Sequence, residues 1–346
     1  MKNIFILLFS FYLLNGLNGQ SKPIFFPDQM ENSSDLHLKC YCKPGIANQS
    51  RSKGIELSFQ GQGSRLYGET ENYTLQEPHT AVKSSTNIEF KFKVPIINQA
   101  GLKFLIGYGY NQERYQIDRV GVDQPMVFNQ LSSALFKSNN LSAYFTKSFN
   151  ETNYMAFRGR LIYNGNYDGL IQFDKRYRFY NLVGIWGHKK SEDFEWGLGI
   201  SVGKSIKNNT QIIPLAMLNV NFSPKWGLES VLPAFVFIRN NVNAKTMLFY
   251  GAEITGQGYV FDLEGQNTGT TPSYIFDDSN VRLVASLERK LMNWIWLSAK
   301  VGYNLTFSTE FLSNADELYP SFEVEPMNHP FIKLGLFLSP PNNLIK

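Results

Sequence analysis

Apolar and polar residues alternate along one stretch of the chain for longer than a soluble strand usually lasts. From Ile295 to Phe307 every second residue is apolar, and the residues between them are mostly small or polar. Side chains of a β-strand alternate between its two faces, so this stretch predicts a strand with one apolar and one polar face. Strands of soluble proteins run about 5–6 residues, whereas a tilted strand that crosses a bilayer needs about 9–11. The length therefore favours a membrane-spanning strand.

The same two-residue period recurs along most of the chain. Both ends of a bacterial single-chain barrel lie on one side of the membrane, so its strand number must be even. Thirteen strands are found, so either 246–262 contains two strands or 54–61 lies outside the barrel. We expect an all-β fold, a transmembrane antiparallel up-and-down β-barrel of about 12 strands, with 14 as the alternative. Besides 295–307, the pattern is clear at 88–94, 104–111, 194–203 and 281–288, and weaker at 54–61, 138–149, 153–164, 176–188, 210–223, 226–239, 246–260 and 329–338.

The segments between these strands alternate in length over the first half of the chain. Outer-membrane barrels have short periplasmic turns and long outer loops, so the rhythm predicts a periplasmic N-terminus. A secreted β-sandwich or propeller is the soluble alternative, but such folds rarely need so many long strands with glycine-rich polar faces. The short turns are predicted at 97–101, 149–153, 188–193 and 223–225, and the long loops at 62–85, 112–137 and 165–175.

The first residues have the pattern of a secretory signal peptide. Lys2 gives a positive start, Ile4–Leu14 is an apolar run, and a polar stretch with small residues leads to a cleavage site after Gly19. We therefore divide the chain into a signal peptide (1–19), a periplasmic N-terminal segment (20–53), an outer-membrane β-barrel (54–340) and a C-terminal tail (341–346). After the signal, no apolar stretch approaches the length of a membrane-spanning helix.

Composition supports a bilayer location and argues against a nucleic-acid partner. Charged residues make up 18% of the chain and aromatic residues 15%, against about 25% charged residues in soluble domains. The net charge is only +4, or +3 once Lys2 is removed with the signal, which is too small to indicate a nucleic-acid partner. The two cysteines, Cys40 and Cys42, precede the first clear strand, and a bridge between residues two apart would be strained. They are either a metal, redox or interchain pair or two incidental thiols.

Tryptophan and tyrosine side chains near the predicted strand ends suggest two aromatic girdles. Such rings prefer the headgroup region, where an apolar face and a polar edge are both satisfied. Ordinary core aromatics would produce a similar pattern. The girdle candidates are Trp186, Trp196, Trp226, Trp294, Trp296, Tyr110, Tyr163 and Tyr250.

Charged residues on the faces opposite the apolar ones are predicted to point into the barrel. A lysine or arginine facing lipid at mid-bilayer costs about 2–4 kcal/mol, which excludes the outward orientation. Inside, opposite charges either pair and close the lumen or line a water-filled path that favours anions. Lys300 is expected to lie opposite Arg282 and Glu288. The candidates are Glu89, Lys91, Lys93, Arg158, Arg160, Glu195, Arg282, Glu288 and Lys300, together with Glu56 and Lys333.

Two further segments, 262–279 and 309–328, are rich in acids and are predicted to be outer loops, either solvated or bound to divalent cations or to lipopolysaccharide. Their acids are Asp262, Glu264, Asp277, Asp278, Glu310, Asp316, Glu317, Glu323 and Glu325.

Catalytic patterns are weak in this chain. A lipid hydrolase of the outer membrane needs a histidine within hydrogen-bond reach of a serine. The one such pair is His188 with Ser191 across a predicted turn, which is more typical of a polar turn. Metal-ligand spacings, phosphate loops and the Gly-x-Ser-x-Gly elbow are absent from the sequence. We predict that the protein is not an enzyme and has no metal or cofactor.

The segment Trp226-Gly-Leu-Glu-Ser-Val-Leu-Pro233, followed by an apolar strand to Ile238 and a turn at 239–243, is similar to an element of a known family. It resembles an uncharacterised outer-membrane β-barrel family found mainly in Bacteroidota. The resemblance implies fold and location but no site residues. We expect a narrow channel for small polar or anionic solutes, or alternatively a sealed structural or interaction barrel. Its expected partners are outer-membrane lipid, lipopolysaccharide and small solutes, and the oligomeric state is left open.

Overall fold

The computed structural model describes residues 45–67, 80–99, 101–118, 126–204, 209–262, 273–313, 321–323 and 327–339. Almost all of them lie in antiparallel strands, and one short helix, α1 (Met126–Ser133), precedes the fourth barrel strand. Within these ranges no helix is both long and apolar enough to span a membrane. Cys40, Cys42 and the predicted signal peptide lie outside the described residues. The strands are β1 (Ile55–Gln62), β2 (Arg65–Tyr67), β3 (Thr80–Gln99), β4 (Leu102–Asp118), β5 (Leu135–Ser148), β6 (Asn153–Gly165), β7 (Arg178–Ser191), β8 (Phe194–Lys204), β9 (Thr210–Asn221), β10 (Trp226–Leu232), β11 (Phe235–Asn243), β12 (Thr246–Asp262), β13 (Ser273–Lys290), β14 (Ile295–Ser313), β15 (Phe322–Glu323) and β16 (His329–Leu338).

Fourteen of these strands close into one barrel. Each pairs antiparallel with its neighbours in chain order, and β1 completes the ring by pairing with both β3 and β16. The short strands β2 and β15 only extend the outer ends of β3 and β14. Closure leaves no free sheet edge around the ring. A β-sheet that crosses a bilayer has to be closed in this way, because lipid offers no hydrogen bonds to unpaired backbone groups. The predicted transmembrane antiparallel barrel is confirmed.

The preferred count of 12 strands is wrong and the alternative of 14 is correct. The predicted single strand 226–239 is two strands, because the chain turns at Pro233 and Ala234 between β10 and β11. Neither explanation offered for the odd count holds. The segment 54–61 is the closing strand β1, and 246–262 is one long strand, β12. The expected turn at Arg239–Asn243 is also wrong, since these residues belong to β11.

Exposed apolar side chains form a belt around the outside of the barrel. On β7, outward residues run from Arg178 through Tyr180 and Leu182 to Trp186, and the last three are 44, 56 and 37% exposed. The ten steps from Arg178 to His188 span roughly 33 Å of strand, or about 25 Å of height at the usual tilt. That matches the apolar band of a membrane barrel, with Tyr180 and Trp186 each one outward position inside its two borders.

Most girdle candidates face outward, but Trp296 does not. Trp226, Trp294 and Tyr250 are 44 to 45% exposed on the outer surface. Trp296 is 2% exposed inside the barrel, stacked on Phe337 at 6.0 Å between ring centroids. Trp296 occupies an inward-facing position of β14, because alternate residues of a strand face opposite sides of the sheet.

We call the end that carries residues 45–54 and the C-terminus of β16 the inner end. Six short connections lie there, the longest of four residues, whereas most connections at the other, outer end are longer. The exception is the tight β10–β11 turn. Both strands are short, so the barrel wall is lower there than elsewhere at the outer end. Five acids predicted in outer loops lie instead on strands: Asp262 on β12, Asp277 and Asp278 on β13, Glu310 on β14 and Glu323 on β15. The other four, Glu264, Asp316, Glu317 and Glu325, lie outside the described residues.

The barrel narrows towards its outer end. Above the low β10–β11 turn, β12 leaves β11 and touches β6, where Val260 pairs in parallel with Gly165. The main-chain N–H of Asn166 donates to the Val260 carbonyl at 2.9 Å. A Cβ at Gly165 would lie 2.5 Å from that carbonyl oxygen, so only glycine permits this close approach. The contact between β12 and β6 therefore divides the outer part of the interior from the space enclosed by strands β7 to β11.

Candidate functional site

All nine predicted interior residues lie on the inner face of the barrel. Alternation along each strand places them there, opposite the exposed apolar positions. They do not form one continuous line. The structure distributes them among separate polar groups, and four of them, Glu89, Lys91, Glu288 and Lys300, form ion pairs. These residues are Glu89, Lys91 and Lys93 on β3, Arg158 and Arg160 on β6, Glu195 on β8, Arg282 and Glu288 on β13, and Lys300 on β14.

The β3 group centres on Glu89. Lys333 of β16 donates to its carboxylate at 2.5 Å, and Lys91 forms an ion pair with it from the same strand. Ser58 of β1 lies between these strands and donates to Glu89 at 3.4 Å. Lys93 lies farther from this carboxylate, above the ring of Tyr144 at 5.6 Å. The seam where the barrel closes is therefore bound by ion pairs on its inner side.

Lys300 has a different partner from the one expected. Its Nζ donates to both carboxylate oxygens of Glu253 on β12, each at 3.2 Å, and it faces Ser286 on the neighbouring strand β13. Arg282 donates instead to Asn304 at 2.8 Å and lies over the ring of Phe331 at 4.9 Å. The barrel wall curves strongly, so the long side chain of Lys300 reaches past β13 to Glu253 on β12.

The most buried ion pair joins Arg239 and Glu229, which sequence reasoning missed. Arg239 Nε donates to Glu229 at 2.8 Å, and the arginine side chain is fully buried. A second guanidinium nitrogen donates to Asn221 at 2.6 Å. The two charges meet because β10 and β11 form a hairpin. A turn predicted at Pro233 would have revealed the pairing, whereas the single strand predicted at 226–239 keeps the two residues apart.

Residues 45–54, which we call the strap, cross the inner mouth of the barrel ahead of β1. Two of their main-chain N–H groups donate to interior carboxylates. The N–H of Gly45 donates to Glu195 at 2.7 Å, and Ser50 donates to Glu229 from its N–H at 3.0 Å and from its Oγ at 2.7 Å. Because β1 lies across the ring from β8, the strap spans the opening.

The second half of the strap is held by cations. Lys53 forms an ion pair with Glu288 at 2.9 Å and lies 4.7 Å from the centre of the Phe337 ring. Arg51 lies over the ring of Trp296 at 4.8 Å. Charged contacts of this kind hold position but add little net stability, because both groups lose water when they pair. The strap is thus anchored mainly by polar contacts, with Ile46 as its buried apolar residue.

The outer end is filled by a different kind of contact. Twelve buried apolar residues pack together inside it, and we call them the outer aromatic cluster. Tyr115 meets Phe136 and Phe276 edge-on at 5.8 and 5.6 Å, and Phe128 of α1 meets Phe311 at 5.6 Å. This cluster fills the outer end between strands β3 to β5 and β12 to β14. Its members are Val82, Tyr115, Val127, Phe128, Leu131, Ala134, Phe136, Tyr259, Phe261, Tyr274, Phe276 and Phe311.

Just inside the cluster lies a network around Glu113, a residue that the sequence did not single out. The Tyr259 hydroxyl donates to one of its carboxylate oxygens at 3.1 Å, and the Gln62 amide donates to the other at 3.3 Å. His329 shares the Gln62 side chain, with a ring nitrogen 2.7 Å from the amide oxygen. Hydrogen bonds therefore join the side chains at the boundary between the polar middle of the lumen and its aromatic outer end.

His188 is not paired with Ser191. Its Nδ1 lies 2.9 Å from the Asn153 amide oxygen, and its ring lies between those of Trp186 and Trp196 at the inner border of the belt. Within the described ranges, no group of three or more metal-binding side chains comes together.

At the outer rim, the loop after β6 is ordered by Asp174. The main-chain N–H and the side chain of Arg176 donate to its carboxylate at 2.9 and 3.0 Å. These two hydrogen bonds hold the pKa of Asp174 below its ordinary value, because they favour the charged form.

Comparisons with known proteins find structural likeness only. No protein-family model and no curated protein match the sequence. The TodX monoaromatic hydrocarbon channel deltaS2 mutant is 7% identical over 83% of this chain and 89% of that chain, with a TM-score of 0.41. The translocator domain of autotransporter NalP from Neisseria meningitidis is 10% identical over 82% and 88%, with a TM-score of 0.31. A mutant of the Rh. blastica porin is 7% identical over 82% and 99%, with a TM-score of 0.26. Identity at this level transfers no activity to this chain.

Proposed function

We propose that the chain is an outer-membrane β-barrel that forms a gated passage for small polar solutes, closed at rest by its own strap. The strap carries the proposal, because it crosses the inner mouth and is held mainly by polar contacts with separate strands. Polar contacts of this kind exchange readily for contacts with water, so the strap can leave the mouth without exposing a large apolar surface.

The location follows from the apolar belt and from the orientation rule for such barrels. A belt of about 25 Å suits a bacterial outer membrane, and short turns lie on the periplasmic side. The strap and the C-terminus of β16 would then face the periplasm, and helix α1 and the longer loops would face outward.

Small polar solutes fit the interior better than anions do. Among the described residues, the buried charged side chains comprise eight acids and five lysines or arginines. With the partly buried Glu89, Lys91, Lys93, Lys300 and Lys333 included, acids and bases number nine each. A passage that selects anions needs an excess of basic groups along its path, and this interior has none.

A sealed structural barrel is the second candidate, and the outer aromatic cluster favours it. Its twelve buried apolar residues pack together inside the outer end of the barrel. In that case the strap would stabilise the barrel and would not act as a gate. The two functions make opposite predictions for a barrel without its strap.

The test measures conductance in planar bilayers and swelling of liposomes in uncharged sugars. The mature chain is compared with a deletion of residues 20–53 and with Arg51→Gln/Lys53→Gln, which keeps the strap but removes two of its anchors. A gate predicts rare openings in the mature chain, more frequent openings in the double variant and steady conductance after deletion. If the deletion variant folds, as judged by heat-modifiable gel mobility, yet neither conducts nor swells, the barrel is sealed and the proposal fails.

A further inference from the structure

A groove of about 510 Å³ lies on the lipid-facing side of the barrel, across strands β3 to β6. Its floor is formed where two small residues, Ala143 and Gly159, face each other on adjacent strands. Ile106 borders the floor on one side and Leu182 on the other, and these side chains are 44 and 56% exposed. The groove is thus a depression in the apolar belt, where elsewhere large side chains stand out from the strands.

The groove has an apolar lower border and a loop above it. Phe145 and Phe157, the pair next towards the inner end, lie with ring centroids 6.4 Å apart. At the other end, the Asn139 amide donates to the Leu170 carbonyl at 2.7 Å, which draws the loop after β6 onto the outer wall. Tyr163 and Phe173 meet edge-on at 5.7 Å and hold the loop there.

This loop exposes an apolar edge directly above the groove. Leu170, Ile171 and Phe173 are 68, 55 and 65% exposed. Lys137 donates to the carbonyls of Tyr167 and Gly169 at 2.7 and 2.9 Å, so the loop is fixed to strand β5. Exposed apolar residues on a fixed loop mark an interaction surface, and at the border of the belt the available partner is lipid.

Two cations stand at the same end of the groove. Lys175 and Arg178 are exposed, and neither forms an ion pair within the described part of the chain. Arg178 pairs with Tyr163, four residues from Gly159 along β6, so it lies roughly 13 Å from the floor of the groove along the strand. Tyr180 and Leu182 form the outward column that connects them. Arginine binds phosphate oxygens through two parallel hydrogen bonds, which makes it suited to a phosphorylated headgroup.

We propose that this groove binds one acyl chain of a phosphorylated glycolipid of the outer leaflet, whose phosphate is held by Lys175 and Arg178. The apolar floor takes the chain, the loop edge covers its upper part, and the two cations neutralise the headgroup. The charge favours an anionic glycolipid over a zwitterionic phospholipid, because an unpaired cation pair at the headgroup level gains most from a phosphate that carries net charge.

The test uses the full mature barrel in detergent, with purified lipid A or phosphatidylethanolamine added, and native mass spectrometry as the readout. We expect roughly one lipid A retained per barrel and weaker retention of phosphatidylethanolamine. Gly159→Leu fills the groove from the lipid side. A Cβ at this position meets only Leu182, at 3.4 Å, so the fold should tolerate it. It should lower lipid A retention at least about fivefold.

Two matched controls separate binding from general damage. Ala285→Leu puts the same isobutyl side chain at an outward position between Tyr250 and Val301, in another part of the belt, and should leave retention unchanged. Lys175→Gln/Arg178→Gln should lower lipid A retention but not that of phosphatidylethanolamine, whereas Arg289→Gln, an exposed cation at the inner end, should change neither. Equal lipid A retention by the mature chain and by Gly159→Leu would overturn the proposal, as would stronger retention of phosphatidylethanolamine or an unchanged result for the double cation variant.

Discussion

The inner mouth of the barrel is crossed by a strap held through hydrogen bonds and ion pairs, whereas the outer end is filled by close-packed aromatic rings. At the inner end, Glu195 and Glu229 each accept main-chain hydrogen bonds from the strap. At the outer end, Phe136, Phe276 and Phe311 are fully buried against one another and against α1. Polar contacts exchange with water at little net cost, but separating packed rings exposes apolar surface. The inner closure is therefore the one suited to opening.

The largest expected effect is loss of the buried pair beneath the strap. Glu229→Gln leaves Arg239 fully buried without its counter-charge, and this should lower the free energy of unfolding by about 3–5 kcal/mol. Urea unfolding of the barrel in micelles, followed by tryptophan fluorescence, measures the loss. Lys189→Gln is the comparison, because its partner Glu192 is 62% exposed and stays hydrated without the lysine. An equal loss for both variants would contradict the ranking.

A smaller loss is expected from opening a cavity in the outer aromatic cluster. Leu131 of α1 is fully buried there, and Leu131→Ala should lower the free energy of unfolding by about 3 kcal/mol. Leu170→Ala serves as the control, since this exposed loop residue should change stability by less than about 0.5 kcal/mol. If Leu131→Ala is as mild as its control, the outer end is not packed as described.

Loosening the strap should change its local opening more than the stability of the barrel. Ser50→Ala removes the hydroxyl bond to Glu229, worth about 1 kcal/mol, so the strap should open about fivefold more often. The rate of tryptic cleavage after Arg51 reports this opening while the barrel stays intact. Ser84→Ala removes an exposed hydroxyl bond to Gln116 elsewhere and should leave that rate unchanged. A cleavage rate unaffected by Ser50→Ala would mean that this bond does not limit opening.

The smallest effect concerns the outer loop and pH. The pKa of Asp174 is lowered by its two bonds from Arg176, so its contribution is fully present above the ordinary aspartate pKa of about 3.9 and is lost as pH falls through the lower folded value. Hydrogen exchange of the Arg176 amide, corrected for its intrinsic rate, should therefore lose protection below about pH 4. Asp174→Asn should flatten this dependence, and an unchanged profile in that variant would refute the assignment.

Strand location was largely predictable because a bilayer imposes a simple rule. The long alternating run at 295–307 became the 19-residue strand β14, with Val301 and Tyr303 exposed to lipid. The strand count was less predictable, because the turn at Pro233 interrupts a stretch that alternates on both sides of it. The inward orientation of Lys300 followed from the pattern, but its partner Glu253 did not, since strand curvature sets that distance.

The order of polar and apolar residues along single strands determined the antiparallel barrel, its lipid-facing surface and the inward position of its charges. Those features depend on a local period that each strand carries alone. The ion pairs inside the lumen, the strap across its inner mouth and the aromatic cluster at its outer end join residues far apart in the chain. Only the closed barrel brings Gly45 to Glu195 and Tyr115 to Phe276, because closure and narrowing set the distances across the lumen.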